Sequence, residues 1–268
     1  MRNLALSTVT ASILVVCGTA GASGPNSATV VVPRGEPVQI AFANDLTGVV
    51  RDIGANISNA VQMALEARPK VRGFDVQLNV VDAPCGGEPA ADAAAAAAIV
   101  ANPQNVAVLG QLCSSGFEAA LPIYEAAGLP VITGSATRPG LSAFGPSVFN
   151  RTIVDDNGFD EWSPLVDRLP SVVAWRQAYE QRFGVAPHEL AVFYFDAATL
   201  LLDRLQRVSK KVHGDLVINR AKLARTLRQT TSFKGVTCTI TLDPSTGDRL
   251  SDPAALDRCS RKGGGGDG

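Results

Sequence analysis

Four small hydroxyl residues stand where a chain of this kind can hold a small polar ligand. Ser114 and Ser115 follow the apolar run Val106–Leu109 and its terminating Gly110; Ser135 and Thr137 follow a second run, Val131–Thr133. Short apolar runs rich in valine read as buried strands, and open α/β sheets receive ligands in the crevice at the carboxyl ends of their strands. Behind the two adjacent serines, Phe117, Leu121 and Tyr124 repeat at helical spacing, and Gly128 is placed to stop that helix. Ser114 and Ser115 are good N-caps for it. A helix that begins there points free N–H groups into the crevice, which favours an anion such as a carboxylate. Asp45 and Asp52 lie in the loop Asn44–Gly54 and are within reach of a cation, although the ordinary role of such carboxylates is to be solvated.

The same residues speak against catalysis. Ser114 lies in Cys-Ser-Ser-Gly and not in the G-x-S-x-G turn that exposes a nucleophile. His188 and His213 are the two histidines, far along the chain; His188 is expected to cap a helix or lie on the surface. Neither belongs to H-E-x-x-H, and no G-x-x-x-x-G-K cradle for phosphates is present. A formal net charge of −1 without a basic run makes nucleic acid an unexpected partner. The cysteines have no C-x-x-C spacing, so no metal site is read from them, and no cofactor is implied.

These side chains need a scaffold. Residues 1–22 read as an export signal: Arg2 is the charge, Leu4–Val16 the apolar stretch, Ala20-Gly21-Ala22 the cleavage pattern. The stretch is too short for a comfortable membrane span, so no span is expected after signal removal. Cys17 follows a valine rather than a small residue, which favours plain secretion over a lipoprotein form. Four cysteines lie beyond the signal, Cys85, Cys113, Cys238 and Cys259, and four in an exported chain suggest two bridges. Residues 23–37 have the Ser/Pro/Gly content of a linker. Strands are expected at Val38–Ala43, Val76–Val81, Val106–Leu109 and Val131–Thr133. Helices are expected at Asn56–Ala67, over the alanine tract Pro89–Ala101, and after Ser115. With a closing strand near Val148, this alternation through residue 154 predicts an α/β fold, a parallel sheet covered by helices in three layers.

Four ordered blocks then carry a resemblance: VLGQLCSS, PIYEAAGLPVIT, SATRPGLS and FNRTIVDDN. They closely resemble the leucine/isoleucine/valine-binding proteins of bacterial ABC importers, type I periplasmic binding proteins. The resemblance implies that Ser114 and nearby N–H groups, Ser115 among them, hold an α-carboxylate, and that Thr137 and the Ser135 carbonyl take the α-ammonium. Ile53 falls where the family often has an aromatic residue over the ligand. It also pairs Cys85 with Cys113, leaving Cys238 and Cys259 as a second bridge or as free thiols.

Downstream, the family continues into a second lobe of more than a hundred residues, whereas here Tyr179, Phe183-Gly184, Pro187 and Phe195-Asp196-Ala197 already resemble the return to the first lobe. Helices are expected near Ser171–Phe183 and His188–Val208, and from Arg220 to Thr230 with Asn219 as cap. The resemblance covers 38–156 and 172–250, one lobe, with 157–171 as a junction in place of the second lobe. The returning segment is expected to complete the same sheet, burying Phe195, Leu200 and Leu201, and 251–268 to form a disordered tail. The implied function is solute binding for an ABC importer of amino acids or similar small carboxylates. The implied partner is an inner-membrane permease and the implied place the periplasm. A missing lobe implies a half-receptor that binds weakly. A non-transporting, structural or partner-binding remnant is the alternative, and a hydrolase is less favoured still.

Overall fold

The structure is a computed structural model in which residues 28–262 are described. The expected export signal, the first residues of the linker and the end of the tail lie outside them. Among the described residues no helix is long and apolar enough to cross a membrane.

The central strand is β2 (Val38–Asn44), VQIAFAN. Alternate residues of a strand face opposite ways. Ile40 and Phe42 therefore enter one apolar cluster, while Ala41 and Ala43 enter another on the far face. Two strands flank β2 in parallel, β4 (Phe74–Asp82) and β5 (Asn105–Leu109), and β6 (Val131–Ile132) follows beyond β5. The two-residue β3 (Lys70–Val71) lies outside β4, giving the order β3-β4-β2-β5-β6. The sheet is thus mixed rather than wholly parallel. The reason is local: Arg72 (φ 53°) and Gly73 (φ 88°) both have positive φ, which makes a tight hairpin, and a hairpin joins antiparallel strands.

One face is covered by α1 (Arg51–Ala67) through Ile57 and Val61 and by α6 (Ala191–Val208) through Leu200, Leu201 and Leu205. The other is covered by α2 (Pro89–Ala101) and α3 (Ser114–Ala126), with Ala95, Ala96, Ile99, Phe117 and Tyr124 buried. Small alanines let α2 lie close to the sheet and to α3. Helix α1 starts at Arg51, five residues before the expected Asn56. Its extra turn contains Gly54, where a Cβ would lie 1.9 Å from the Asp45 carbonyl oxygen.

Beyond β6, Val131 and Thr133 donate to the carbonyls of Val148 and Asn150, and Thr133 forms an isolated parallel bridge with Arg151. The expected closing strand is a short extended rung. The junction is helical: α4 (Asp156–Asp167), capped by Asp155 accepting from the Asn157 N–H, then α5 (Pro170–Phe183). Trp162, Trp175 and Tyr179 bury with Phe193 in a third cluster.

The returning segment covers the sheet but does not extend it. Leu200 and Leu201 are buried and Phe195 is half-buried against the core. Its strands, however, pair elsewhere. β8 (Asp215–Asn219) lies antiparallel between β7 (Lys210–Val212) and β1 (Thr29–Val32), and β9 (Phe233–Gly235) pairs with β10 (Cys238–Ile240). The edge beyond β6 is taken by residues 148–151, and these strands pair instead with β1 and with one another. Two further expectations are corrected. Residues 29–32 of the supposed linker form β1, with Val30 and Val32 buried and Val30 opposite Ile218. Residues 253–262 of the supposed disordered tail form α8 (Pro253–Lys262), which buries Ala255 and Leu256. Helix α7 (Arg220–Arg228) is capped as expected, Asn219 accepting from the Lys222 N–H at 2.8 Å.

Candidate functional site

From β2 the chain passes to β4 on one side, then returns to β5 on the other. The strand order reverses at the carboxyl ends of β2 and β5, and that is where such sheets open a crevice. Three connections border it: 45–50 after β2, 110–113 after β5 and 133–138 after β6.

The first connection is built on Asp45, which is fully buried. Its carboxylate accepts from the N–H groups of Gly48 (2.6 Å), Val50 (3.3 Å) and Cys85 (3.0 Å). The expectation of a solvated or cation-binding Asp45 therefore fails; its oxygens serve the backbone. Asp82, at the end of β4, adds two bonds to the same loop, from the Leu46 N–H and from the Thr47 hydroxyl. Asp52 is exposed in the first turn of α1. Among the described residues no group of three His, Cys, Asp or Glu side chains is placed to hold a metal ion.

Cys85 is bridged to Cys113, with Cα atoms 5.7 Å apart, so the turn after β4 is covalently tied to the start of α3. Cys238 and Cys259 form a second bridge, Cα atoms 5.9 Å apart, fastening α8 to β10.

Ser114 is the first helical residue of α3 rather than its cap. Cys113 occupies the cap position and makes no side-chain cap bond. The first helical bond runs from the Phe117 N–H to the Cys113 carbonyl at 2.9 Å, so the N–H groups of Ser114, Ser115 and Gly116 have no acceptor within the helix. The Ser114 hydroxyl accepts from the Arg138 N–H at 3.2 Å, which sets it beside Thr137. Ser115 is exposed. Asp92, the one acid in the alanine tract, is buried against Gly116, where a Cβ would lie 2.2 Å from its carboxylate. Burial raises its pKa, and the charge of Asp45 raises it further.

Ser135 is buried. Its hydroxyl donates to the Leu112 carbonyl at 2.7 Å and lies 3.0 Å from the Tyr194 hydroxyl. The side chain thus joins the two loops, which leaves the carbonyl as its available group. Thr137 is half-buried, its carbonyl accepting from the Asp156 N–H at 2.9 Å. Gly134 brings this loop against α6, since a Cβ there would stand 2.6 Å from the Phe193 and Tyr194 backbone. Ile53 is half-buried and packs against the cluster that Leu112 and Cys113 also join. The structure therefore gathers Ser114, Ser135 and Thr137 closely, brings Ile53 to the same side, and leaves Ser115 at the rim.

Sequence reasoning missed Arg151. It is fully buried, donates to the carbonyls of Ala136 (2.9 Å) and Arg138 (3.1 Å), and pairs with Asp248 (2.7 Å) and Asp155 (3.5 Å). It holds the 133–138 loop from beneath. Burial lowers its pKa, and the two carboxylates oppose that. Its signal was the Arg-Thr pair inside FNRTIVDDN, which periodicity could not interpret. His188 is half-buried in the turn before α6, its Nδ1 accepting from the Leu190 N–H at 3.2 Å, but it does not cap the helix, whose cap position is Leu190 with no side-chain cap bond; His213 is exposed in the β7–β8 turn.

Comparison with known proteins places these observations. Residues 37–159 match the periplasmic binding protein family. Over 125 residues, 46% of this chain, there is 34% identity to the leucine-, isoleucine-, valine-, threonine-, and alanine-binding protein of Pseudomonas aeruginosa, covering 33% of that protein. Over 120 residues, 44% of this chain, there is 31% identity to the Leu/Ile/Val-binding protein of Escherichia coli, covering 32% of it. The matched stretch spans about a third of the length of these curated relatives. The fold resembles that of the leucine binding protein LivK from Thermotoga maritima, with a TM-score of 0.64 at 18% identity, covering 79% of this chain and 93% of that one. It likewise resembles LivJ from Streptococcus pneumoniae, solved in complex with isoleucine, with a TM-score of 0.65 at 14% identity, covering 80% and 94% of the two chains.

Proposed function

We propose, starting from residues 37–159 as a periplasmic binding protein segment of the Leu/Ile/Val-binding type, that this chain captures a small amino acid for a branched-chain ABC importer. The family is one of binding proteins and not of enzymes. Residues 38–156 and 172–250 act together as one three-layer lobe, and 157–171 stand in place of a second. The chain is exported by residues 1–22 and meets its permease at the inner membrane.

The observation that carries this reading is the meeting of three features at the switch point: the Ser114 hydroxyl, the first-turn N–H groups of α3, and Thr137. The Arg138 N–H bond to Ser114 holds them together. In this assignment the ligand carboxylate lies at Ser114 and the helix terminus, with Ser115 at the rim. The ammonium lies at the Ser135 carbonyl and the Thr137 hydroxyl, and the aliphatic side chain runs toward Ile53. The leucine, isoleucine and valine named for the relatives fit such a site.

Three hydrogen bonds involving charge contribute roughly 1.5–3 kcal/mol each. Lost translational and rotational freedom and an uncovered face subtract at least about 4 kcal/mol. The half-receptor is thus expected to bind with Kd on the order of 1 mM, about −4 kcal/mol. Titration calorimetry with leucine, isoleucine and valine tests it. Millimolar binding that disappears in Ser114→Ala supports the site. Micromolar binding would show that something else closes the crevice, and binding unchanged in Ser114→Ala would move the site elsewhere.

A further inference from the structure

The last turns of α6, α7 and the β9 hairpin enclose a groove of ≈ 530 Å³. Counting 1.5 Å per helical residue, it lies about 18 Å along α6 from Phe193, which packs beside the crevice loop. Its lining includes Arg204, Arg207, Lys234, Thr231, Ser232 and Phe233, and no acid lines it. The adjoining carboxylate is Asp203. It accepts from Arg204 Nη1 at 2.6 Å and Arg207 Nε at 2.7 Å, and lies 3.8 Å from Arg68 Nη1. Of the cations that line the groove, Arg204 and Arg207 share this one carboxylate, which leaves one positive charge in excess, and Lys234, exposed and in no ion pair among the described residues, adds a second.

This is a costly arrangement unless something answers it. Arg204 is 6% exposed; burial and the charge of Arg207 both lower its pKa, against Asp203. Yet Arg204 is held firmly, its Nε donating to the Thr230 hydroxyl at 3.3 Å and its guanidinium 5.6 Å from the Phe233 ring centre. A fixed, partly desolvated guanidinium beside a second arginine, a lysine and two hydroxyls matches a multiply charged oxyanion, because arginine forks and hydroxyls both direct N–H or O–H groups at phosphate oxygens.

We propose that this groove binds a phosphate-bearing anion, with Arg204 as the fixed anchor, Arg207 and Lys234 as exposed cations, and Thr231 and Ser232 as hydroxyl donors. The phosphate belongs either to a small soluble compound or to an anionic phospholipid headgroup, since both present the same oxygens.

Two arms separate the sources. Pyrophosphate is titrated calorimetrically into the full chain at low salt, and flotation is measured with vesicles of phosphatidylglycerol against vesicles of phosphatidylcholine. The variant is Arg207→Gln combined with Lys234→Gln; both side chains are exposed, so thermal stability is expected to be unchanged. Pyrophosphate binding weakened at least about tenfold in the variant supports a soluble ligand. Flotation with phosphatidylglycerol alone, reduced by the variant, supports a headgroup. Neither binding, or binding equal in the variant, overturns the proposal. A leucine titration unaffected by the variant keeps this groove distinct from the crevice.

Discussion

The Cys85 N–H donates to the carboxylate of Asp45 at 3.0 Å, so one buried acid joins the loop after β2 to the turn that carries the Cys85–Cys113 bridge. Replacing Asp45 by alanine leaves the N–H groups of Gly48, Val50 and Cys85 without their acceptor. An unsatisfied buried donor costs roughly 1–3 kcal/mol. Asp45→Ala is therefore expected to lower stability by about 3 kcal/mol or more, and Asp45→Asn, which keeps one acceptor oxygen, by less. Urea unfolding of the three proteins checks the order; an alanine variant as stable as the parent would contradict it.

The two bridges should differ in what their loss releases. Cys85 and Cys113 are 28 residues apart, and closing such a loop stabilises by roughly 3–4 kcal/mol in the chain-entropy model. Replacing both with alanine is expected to cost about that much globally. Replacing Cys238 and Cys259, 21 apart, is expected to free α8 while the sheet persists. Limited proteolysis should then cut near 250–253 in the second variant but not in the first.

The returning segment supplies α6, whose Leu200, Leu201 and Leu205 cover one face of the sheet. Fully burying one leucine is worth about 1.5–3 kcal/mol. A chain ending at Asp156 is expected to lose cooperative unfolding and to bind a hydrophobic dye. A sharp transition at the parent's midpoint would mean that 38–156 forms a self-sufficient core.

Tyr194 gives a pH dependence. It is fully buried, 3.0 Å from the Ser135 hydroxyl and 3.3 Å from that of Thr133. Burial raises its pKa to about 12, the two hydroxyls opposing. Above pH 10 the unfolded chain loses this proton while the folded chain keeps it, so stability falls as pH rises from about 10 to about 12, by roughly 1.4 kcal/mol per unit. Below pH 10 both states keep the proton and Tyr194 adds no slope. In Tyr194→Phe the decline over that window should be shallower by one proton. Identical slopes for the two proteins in stability measured from pH 9 to pH 12 would refute it.

What was legible in the sequence was local. The Val-Ala-Val-Leu run, the alanine tract and Asn219 ahead of Arg220 each state their own conformation, and the structure places β5, α2 and α7 there. The pairing of Val30 with Ile218 was not legible, because neither segment alone marks its partner. Nor was the fate of 253–262, whose polar composition hides two inward residues, Ala255 and Leu256, that count only once Cys259 is anchored. At the candidate site Ser114, Ser135 and Thr137 came from strand ends and family blocks. Arg151 and Asp92 did not, because a buried charge is recognisable only by what surrounds it.

The Thr152 hydroxyl donates to the Phe193 carbonyl at 2.8 Å across 41 positions of sequence. The point where the chain leaves the crevice edge and the point where it re-enters α6 are neighbours, so everything between them is a detour with a closed gate. Because closure entropy grows only logarithmically with the length of a detour, lengthening it at an exposed turn costs the scaffold little, provided that Trp162, Trp175 and Tyr179 keep their packing against Phe193. That makes the exposed turn at 184–186 a socket: the place to graft a foreign domain between helices that stay docked.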